Sequence, residues 1–117
     1  MNREDQIKNE IDQKVKNTKI LLFTKGTKEM PRCGFSAATI QCFQDLNVPF
    51  ETVDVLVDPE LRPVLQQYSN WPTVPQVFIG GKFVGGCDIT RELHASGELK
   101  KLVEELSPAS SGRRWRV

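Results

Sequence analysis

The stretch KILLFTKGTKEMPRCGFSAATIQCFQDL, residues 19–46, decides the fold. Its first six residues, KILLFT, are short and continuously apolar and run out at Gly26, as a strand covered on both faces does. After the loop KGTKEMPR (25–32), Phe35, Thr39, Cys42, Phe43 and Leu46 recur at helical spacing. They predict a helix over 33–46 that ends at Asn47, before Pro49. PFETVDV (49–55) then alternates and is rich in β-branched residues, which makes a second strand, parallel to the first because a helix connects them. Cys33 is thereby placed at a helix start.

Working outward, Ile7, Ile11 and Val15 recur every four residues among charges, so residues 2–17 read as an amphipathic helix with one apolar face. Downstream, DPELRPVLQQYS (58–69) predicts a helix with Asp58 as N-cap and Pro59 at its first position, kept short by Pro63. PQVFI and KFVGG flank Gly80-Gly81, a two-residue hairpin signal. Asp88 is expected to cap a last helix, ITRELHASG, broken at Gly97 and resumed as ELKKLVEEL. The order helix, βαβ, helix, β-hairpin, helix predicts a thioredoxin-like α/β fold: a four-stranded mixed sheet flanked by helices on both faces. One domain is expected over residues 1–106, and the tail SPASSGRRWRV (107–117), rich in Ser, Pro and Arg, is expected to be disordered.

At 117 residues the chain can bury one modest core. Sixteen basic residues balance fifteen acidic ones, so no global field recruits nucleic acid or an anionic membrane surface. The longest apolar runs fall far short of the roughly 20 residues of a membrane span, which points to a soluble protein. The charged amino end has neither the apolar core of a signal peptide nor the acid-poor composition of a transit peptide. Three cysteines, Cys33, Cys42 and Cys87, share no metal-knuckle spacing and make an odd set, which favours a reducing compartment over a disulfide framework.

PRCGFS (31–36) has the form of a CxxC redox motif with its second thiol replaced by Ser36. Cys33 follows a loop bearing Lys25, Lys28 and Arg32 and begins a helix, where free N–H groups favour an anion, so its thiolate should be stabilised. Gly34 leaves room for another molecule, and Phe35 offers an apolar wall. A serine hydroxyl cannot resolve a mixed disulfide, which disfavours dithiol turnover. Cys42 lies nine residues on, about 13 Å of helical rise away and on the opposite face, so it is expected in the core. Cys87, in GGCD, heads the last helix and stays open as a resolving thiol. A [2Fe-2S] cluster wants four thiolates where this chain offers one. Two Cys33 sulfurs from two chains and two molecules of a small thiol would complete the set in a symmetric dimer.

WPTVPQ (71–76) carries a second signal. A cis Val74-Pro75 bond before a strand would present the Val74 N–H and C=O to an extended peptide. Glutathione, a short peptide with a thiol and two carboxylates, would need that pairing together with cations and helix N–H groups. Lys25 and Arg62 can meet one carboxylate, the amides of Cys87 and Asp88 the other, and the Asp88 side chain the ammonium. The alternatives are bland: solvated surface charges for Lys25 and Arg62, and a mere N-cap for Asp88. His94 reads as a surface residue, and Trp71 and Tyr68 as packing.

KGT (25–27), PRCGFS, Leu61-Arg62, WPTVPQ and GGCD (85–88), in that order, resemble the CGFS-type monothiol glutaredoxins of the single-domain class, over residues 7–106 approximately. The resemblance implies a thioredoxin fold, glutathione held by Lys25, Arg62, Val74, Cys87 and Asp88, and a glutathione-ligated [2Fe-2S] cluster bridged between two Cys33 residues. It further implies cluster transfer to apo iron-sulfur acceptor proteins and heterodimers with BolA-type partners. The rival is a glutathione-dependent thiol-disulfide oxidoreductase, in which Cys33 removes glutathione from proteins; Ser36 leans against it. The compartment this implies is the cytoplasm, or a mitochondrial matrix or plastid stroma after loss of a transit peptide.

Overall fold

The computed structural model describes residues 2–105. The tail expected to be disordered, residues 107–117, lies outside the described residues, as do Met1 and Leu106.

Helix α1 (Arg3–Asn17) starts at Asn2, whose side chain accepts the Asp5 N–H at 2.8 Å. It buries Ile7, Ile11 and Val15, the stripe that the four-residue spacing forecast. Strand β1 (Ile20–Thr24) follows and is buried throughout. Then come α2 (Gly34–Asp45), β2 (Glu51–Asp54), α3 (Leu61–Ser69), β3 (Gln76–Ile79), β4 (Lys82–Gly85), α4 (Cys87–Ser96) and α5 (Glu98–Glu105).

The sheet order is β2-β1-β3-β4, with β2 parallel to β1 and both β1/β3 and β3/β4 antiparallel. The expected thioredoxin-like α/β fold is therefore present. β1 is central because its residues are apolar on both faces. Leu21 and Phe23 pack with Ile7, Ile11, Val15 and Leu65 under α1 and α3. Ile20 and Leu22 pack with Phe43 and Leu99 under α2 and α5. Full burial of such side chains stabilises by about 1.5–3 kcal/mol each, so truncating Leu22 to alanine is a core cavity costing about 2–5 kcal/mol. The β3–β4 hairpin turns through Gly80 (φ 61°) and Gly81 (φ 82°), the left-handed pair that a two-residue turn demands.

Three boundaries differ from the sequence reading. β2 is shorter than 49–55, although the Val55 N–H still reaches the Thr24 carbonyl at 2.9 Å. α3 begins at Leu61 with Glu60 as N-cap, because Asp58 caps a preceding turn instead: its Oδ1 accepts from the Glu60 N–H and its carbonyl from the Leu61 N–H, both at 3.0 Å. The other carboxylate oxygen of Asp58 takes Arg3 Nη2 at 2.9 Å, tying α1 to this loop. Gly86, not Asp88, is the N-cap of α4; Asp88 falls in its first turn.

The register determines where a site can form. Phe23 pairs with Gln76, Thr24 with Asp54 and Val77 with Gly85. The loops leaving β1, β2 and β4 and the segment entering β3 therefore meet at one end of the sheet, where α2 and α4 also begin.

Candidate functional site

Lys25 and Gly26, just past β1, are held by all four of their backbone polar atoms. The Lys25 N–H donates to Ser36 Oγ at 3.0 Å, and the Lys25 carbonyl accepts from the Arg32 N–H at 2.9 Å. The Gly26 N–H donates to Asp54 Oδ1 at 2.9 Å, and its carbonyl accepts from Thr24 Oγ1 at 2.8 Å. Gly26 has φ +87°, and a Cβ there would lie 2.4 Å from the Met30 carbonyl oxygen and 2.6 Å from the Arg32 nitrogen. No other residue fits this turn without moving backbone. The rest of the loop closes through reciprocal hydrogen bonds between Thr27 and Met30.

That closure delivers Cys33 to the N-cap of α2, half-buried. The thiol makes no capping hydrogen bond in its neutral form, but the thiolate is favoured. The Ser36 amide is the largest influence holding the pKa below that of an ordinary thiol; the Phe35 amide, Lys25 and the Ser36 hydroxyl add to it, and partial burial opposes it. Ser36 is fully buried. The residue in place of a second thiol is therefore a buried hydrogen-bonding post between Lys25 and Cys33.

Beside this turn lies a groove of about 530 Å³. Lys25, Phe35 and, from the first turn of α3, Arg62 line it. Val74, Cys87 and Asp88 also line it, so every residue that sequence reasoning assigned to a peptide thiol faces one concavity. The Val74-Pro75 bond is cis, as expected. Gln76 Nε2 donates to the carbonyls of Trp71 and Thr73, whereas the Val74 N–H and C=O take part in no hydrogen bond among the described residues. The Nε of Arg62 and the Nε1 of Trp71 are buried without a partner among the described residues. Gly86 has no side chain to cap α4, which leaves the Cys87 and Asp88 amides with no acceptor among the described residues. The arrangement offers two cations, a backbone donor and acceptor, and a helix N-terminus around one volume, a fit for an extended peptide with two carboxylates.

The glutaredoxin family model matches residues 20–84, which include β1, the Cys33 turn and β3. A Synechocystis protein described as an uncharacterized monothiol glutaredoxin, ycf64-like, is 52% identical over 99 residues, which cover 85% of this chain and 92% of its own. The chain belongs to the monothiol glutaredoxin family. Arabidopsis thaliana monothiol glutaredoxin-S14, chloroplastic, is 50% identical over 100 residues; this glutaredoxin is covered to 86%, but the match spans only 58% of the Arabidopsis protein. Among solved structures, reduced apo GrxS14 of poplar superposes with a TM-score of 0.75 at 49% identity, covering 85% of this chain and 91% of that one. A buckwheat glutaredoxin-glutathione complex gives 0.78 at 28% identity, over 87% and 91% of the two chains.

Several sequence readings of this glutaredoxin need correction. Of the three cations credited to the Cys33 loop, only Lys25 acts on the sulfur. Lys28 Nζ donates to the Phe50 carbonyl at 2.9 Å and stands 5.1 Å from the centre of that ring, and Arg32 leans on Met30 Sδ at 3.8 Å. Cys42 is buried in the core as expected; burial pushes its thiol up, and Cys87 and Asp45 add to the effect. Cys87 is a free thiol in the groove lining. His94 is away from the groove, with Nε2 3.5 Å from Asp45 Oδ2. Tyr68 is packing, against Phe78, but Trp71 both packs on Phe83 at 5.4 Å and lines the groove. Asp54 was missed altogether, and Ser36 was read only as a lost thiol, not as the acceptor of the Lys25 N–H. An Asp at the end of a strand parallel to one that runs into a tight Gly turn is the signal that would have flagged Asp54.

Proposed function

We propose that this glutaredoxin binds glutathione in the groove and, as a homodimer, carries a [2Fe-2S] cluster that it passes to apo iron-sulfur acceptor proteins. The observation that carries the reading is convergence: Lys25, Arg62, Val74, Cys87 and Asp88 line one volume, and Lys25 also acts on the half-buried Cys33, which stands just outside that lining. Lys25 and Arg62 would meet one glutathione carboxylate, and the unpartnered Arg62 Nε supports a donor role there. The unpaired Val74 N–H and C=O would pair with the peptide, and the open amides of α4 would take the second carboxylate, with Asp88 holding the ammonium. The buckwheat neighbour was solved as a glutathione complex, which supports the same ligand here.

The cluster reading rests on arithmetic. The described residues contain no group of three or more His, Cys, Asp or Glu side chains able to hold a metal. A di-iron centre asking for four thiolates would therefore be shared: one Cys33 thiolate from each of two chains and one thiolate from each of two glutathiones. Exogenous thiols can exchange, so the cargo leaves by ligand replacement on an acceptor. A BolA-type protein would occupy the second half-site in place of a copy of the chain. No helix among the described residues is long and apolar enough to cross a membrane, and the compartment we favour is a reducing one: cytoplasm, plastid stroma or mitochondrial matrix.

The lowered Cys33 pKa favours one other reading. A Cys33 thiolate could attack the glutathionyl sulfur of a modified protein and release that protein's thiolate; a second glutathione thiolate would then attack the mixed disulfide, giving oxidised glutathione and regenerating Cys33. Anaerobic mixing of the cluster-loaded protein with an apo-ferredoxin separates the two, followed by circular dichroism and by turnover of a glutathionylated peptide. Transfer within minutes with slow turnover supports the carrier. Rapid turnover without transfer supports the oxidoreductase.

A further inference from the structure

We propose that Asp54 is a positioning residue for glutathione binding, holding from the end of β2 the backbone from which Lys25 reaches the groove. The inference rests on the assignment of the groove to glutathione. Of the four contacts that fix Lys25 and Gly26, three come from their own neighbourhood in β1, the Cys33 loop and the start of α2. The fourth comes from Asp54, whose Oδ1 accepts the Gly26 N–H and the Leu56 N–H, each at 2.9 Å. One oxygen thus joins the loop after β1, which carries Lys25, to the loop after β2, which runs through Asp58 and Glu60 into α3 and Arg62.

Nothing else among the described residues requires the Asp54 side chain. Its pairing with Thr24 is made by backbone, and it forms no ion pair among the described residues. Its work is to accept two N–H groups, a task an amide oxygen also performs. Gly26 is buried, so losing the acceptor orphans its N–H and the turn must shift to find another. A shift there moves Lys25 directly.

The experiment is a calorimetric titration of glutathione, without metal and under anaerobic reducing conditions. It compares the wild type with Asp54→Ala, Asp54→Asn, Lys25→Gln and the double variant Asp54→Ala/Lys25→Gln. Asp54→Ala should weaken binding about five-fold, the scale of one lost buried hydrogen bond, and Asp54→Asn should recover most of it. Because Asp54 acts through Lys25, adding Asp54→Ala to Lys25→Gln should change the affinity by less than about two-fold. A general structural role would instead give the same loss in both backgrounds, and that result overturns the proposal, as does wild-type affinity in Asp54→Ala. If Asp54→Ala does not fold, Asp54→Ser, too short to reach Gly26, replaces it in the same cycle. If Lys25→Gln binds as the wild type does, the glutathione assignment itself fails; if it weakens binding while Asp54→Ala does not, the Asp54 role alone fails.

Discussion

Alanine at Gly26 and alanine at Gly97 make a matched pair. Both glycines have left-handed backbones, φ +87° and +86°, so a Cβ meets the same intrinsic penalty of about 1–2 kcal/mol at either position. Their surroundings differ. At Gly97, the C-cap of α4, nothing lies within 4 Å of the added carbon. At Gly26 the carbon would fall 2.4 Å from the Met30 carbonyl oxygen and 2.6 Å from the Arg32 nitrogen, backbone atoms that no rotamer change can clear. Such overpacking adds about 1–3 kcal/mol. Gly26→Ala should therefore lose about 2–5 kcal/mol and Gly97→Ala about 1–2 kcal/mol. Both losses can be measured in urea by far-UV circular dichroism, since the domain's total stability should be about 5–15 kcal/mol. Equal losses in the two variants would refute the packing of the Lys25–Arg32 loop described above.

Iodoacetamide should alkylate Cys33 with a midpoint below the ordinary thiol value near 8.5, and Ser36→Ala should raise that midpoint. The folded pKa lies below the unfolded one, so Cys33 adds stability that is full above the unfolded value and disappears as pH falls through the folded one; Cys33→Ser should abolish that part of the pH profile. Lys25→Gln or Arg62→Gln should each weaken glutathione binding about ten-fold by calorimetry, while Lys28→Gln, whose amine is engaged by Phe50, should leave it unchanged. Tyr68, held by Asp12 at 2.8 Å and pushed up to about 12 by burial and that bond, favours its neutral form in the folded state. Its contribution is complete below the unfolded value near 10 and lost as pH rises toward 12; Tyr68→Phe should cost about 1 kcal/mol at pH 7 and flatten that alkaline limb.

β1 was legible because continuous apolarity has one explanation in a short strand, burial on both faces. The hairpin was legible because Gly80-Gly81 fits few other structures. Helix starts misled for a shared reason: an N-cap is a competition among acceptors that sequence does not display. Asp58 and Asp88 both carry the right side chain, but Asp58 is claimed by Glu60 and Arg3, and the N-cap of α4 is Gly86, whose carbonyl accepts from Thr90 Oγ1 at 2.7 Å. Charges near Cys33 in sequence were over-counted, since direction decides influence and Lys28 turns toward Phe50. The groove residues came from four separate segments, and the needs of a peptide with two carboxylates, together with motif order, brought them together. Asp54 was invisible, and with it the post that Ser36 makes for the Lys25 N–H, because each works on backbone atoms of a loop separate from its own element.

The most direct test of the account is anaerobic cluster reconstitution with and without glutathione, read by visible absorption, iron content and native mass for the wild type and Cys33→Ser. A coloured dimer with about one [2Fe-2S] cluster per two chains should form only when both glutathione and Cys33 are present. Equal iron binding without glutathione, or in Cys33→Ser, would contradict it.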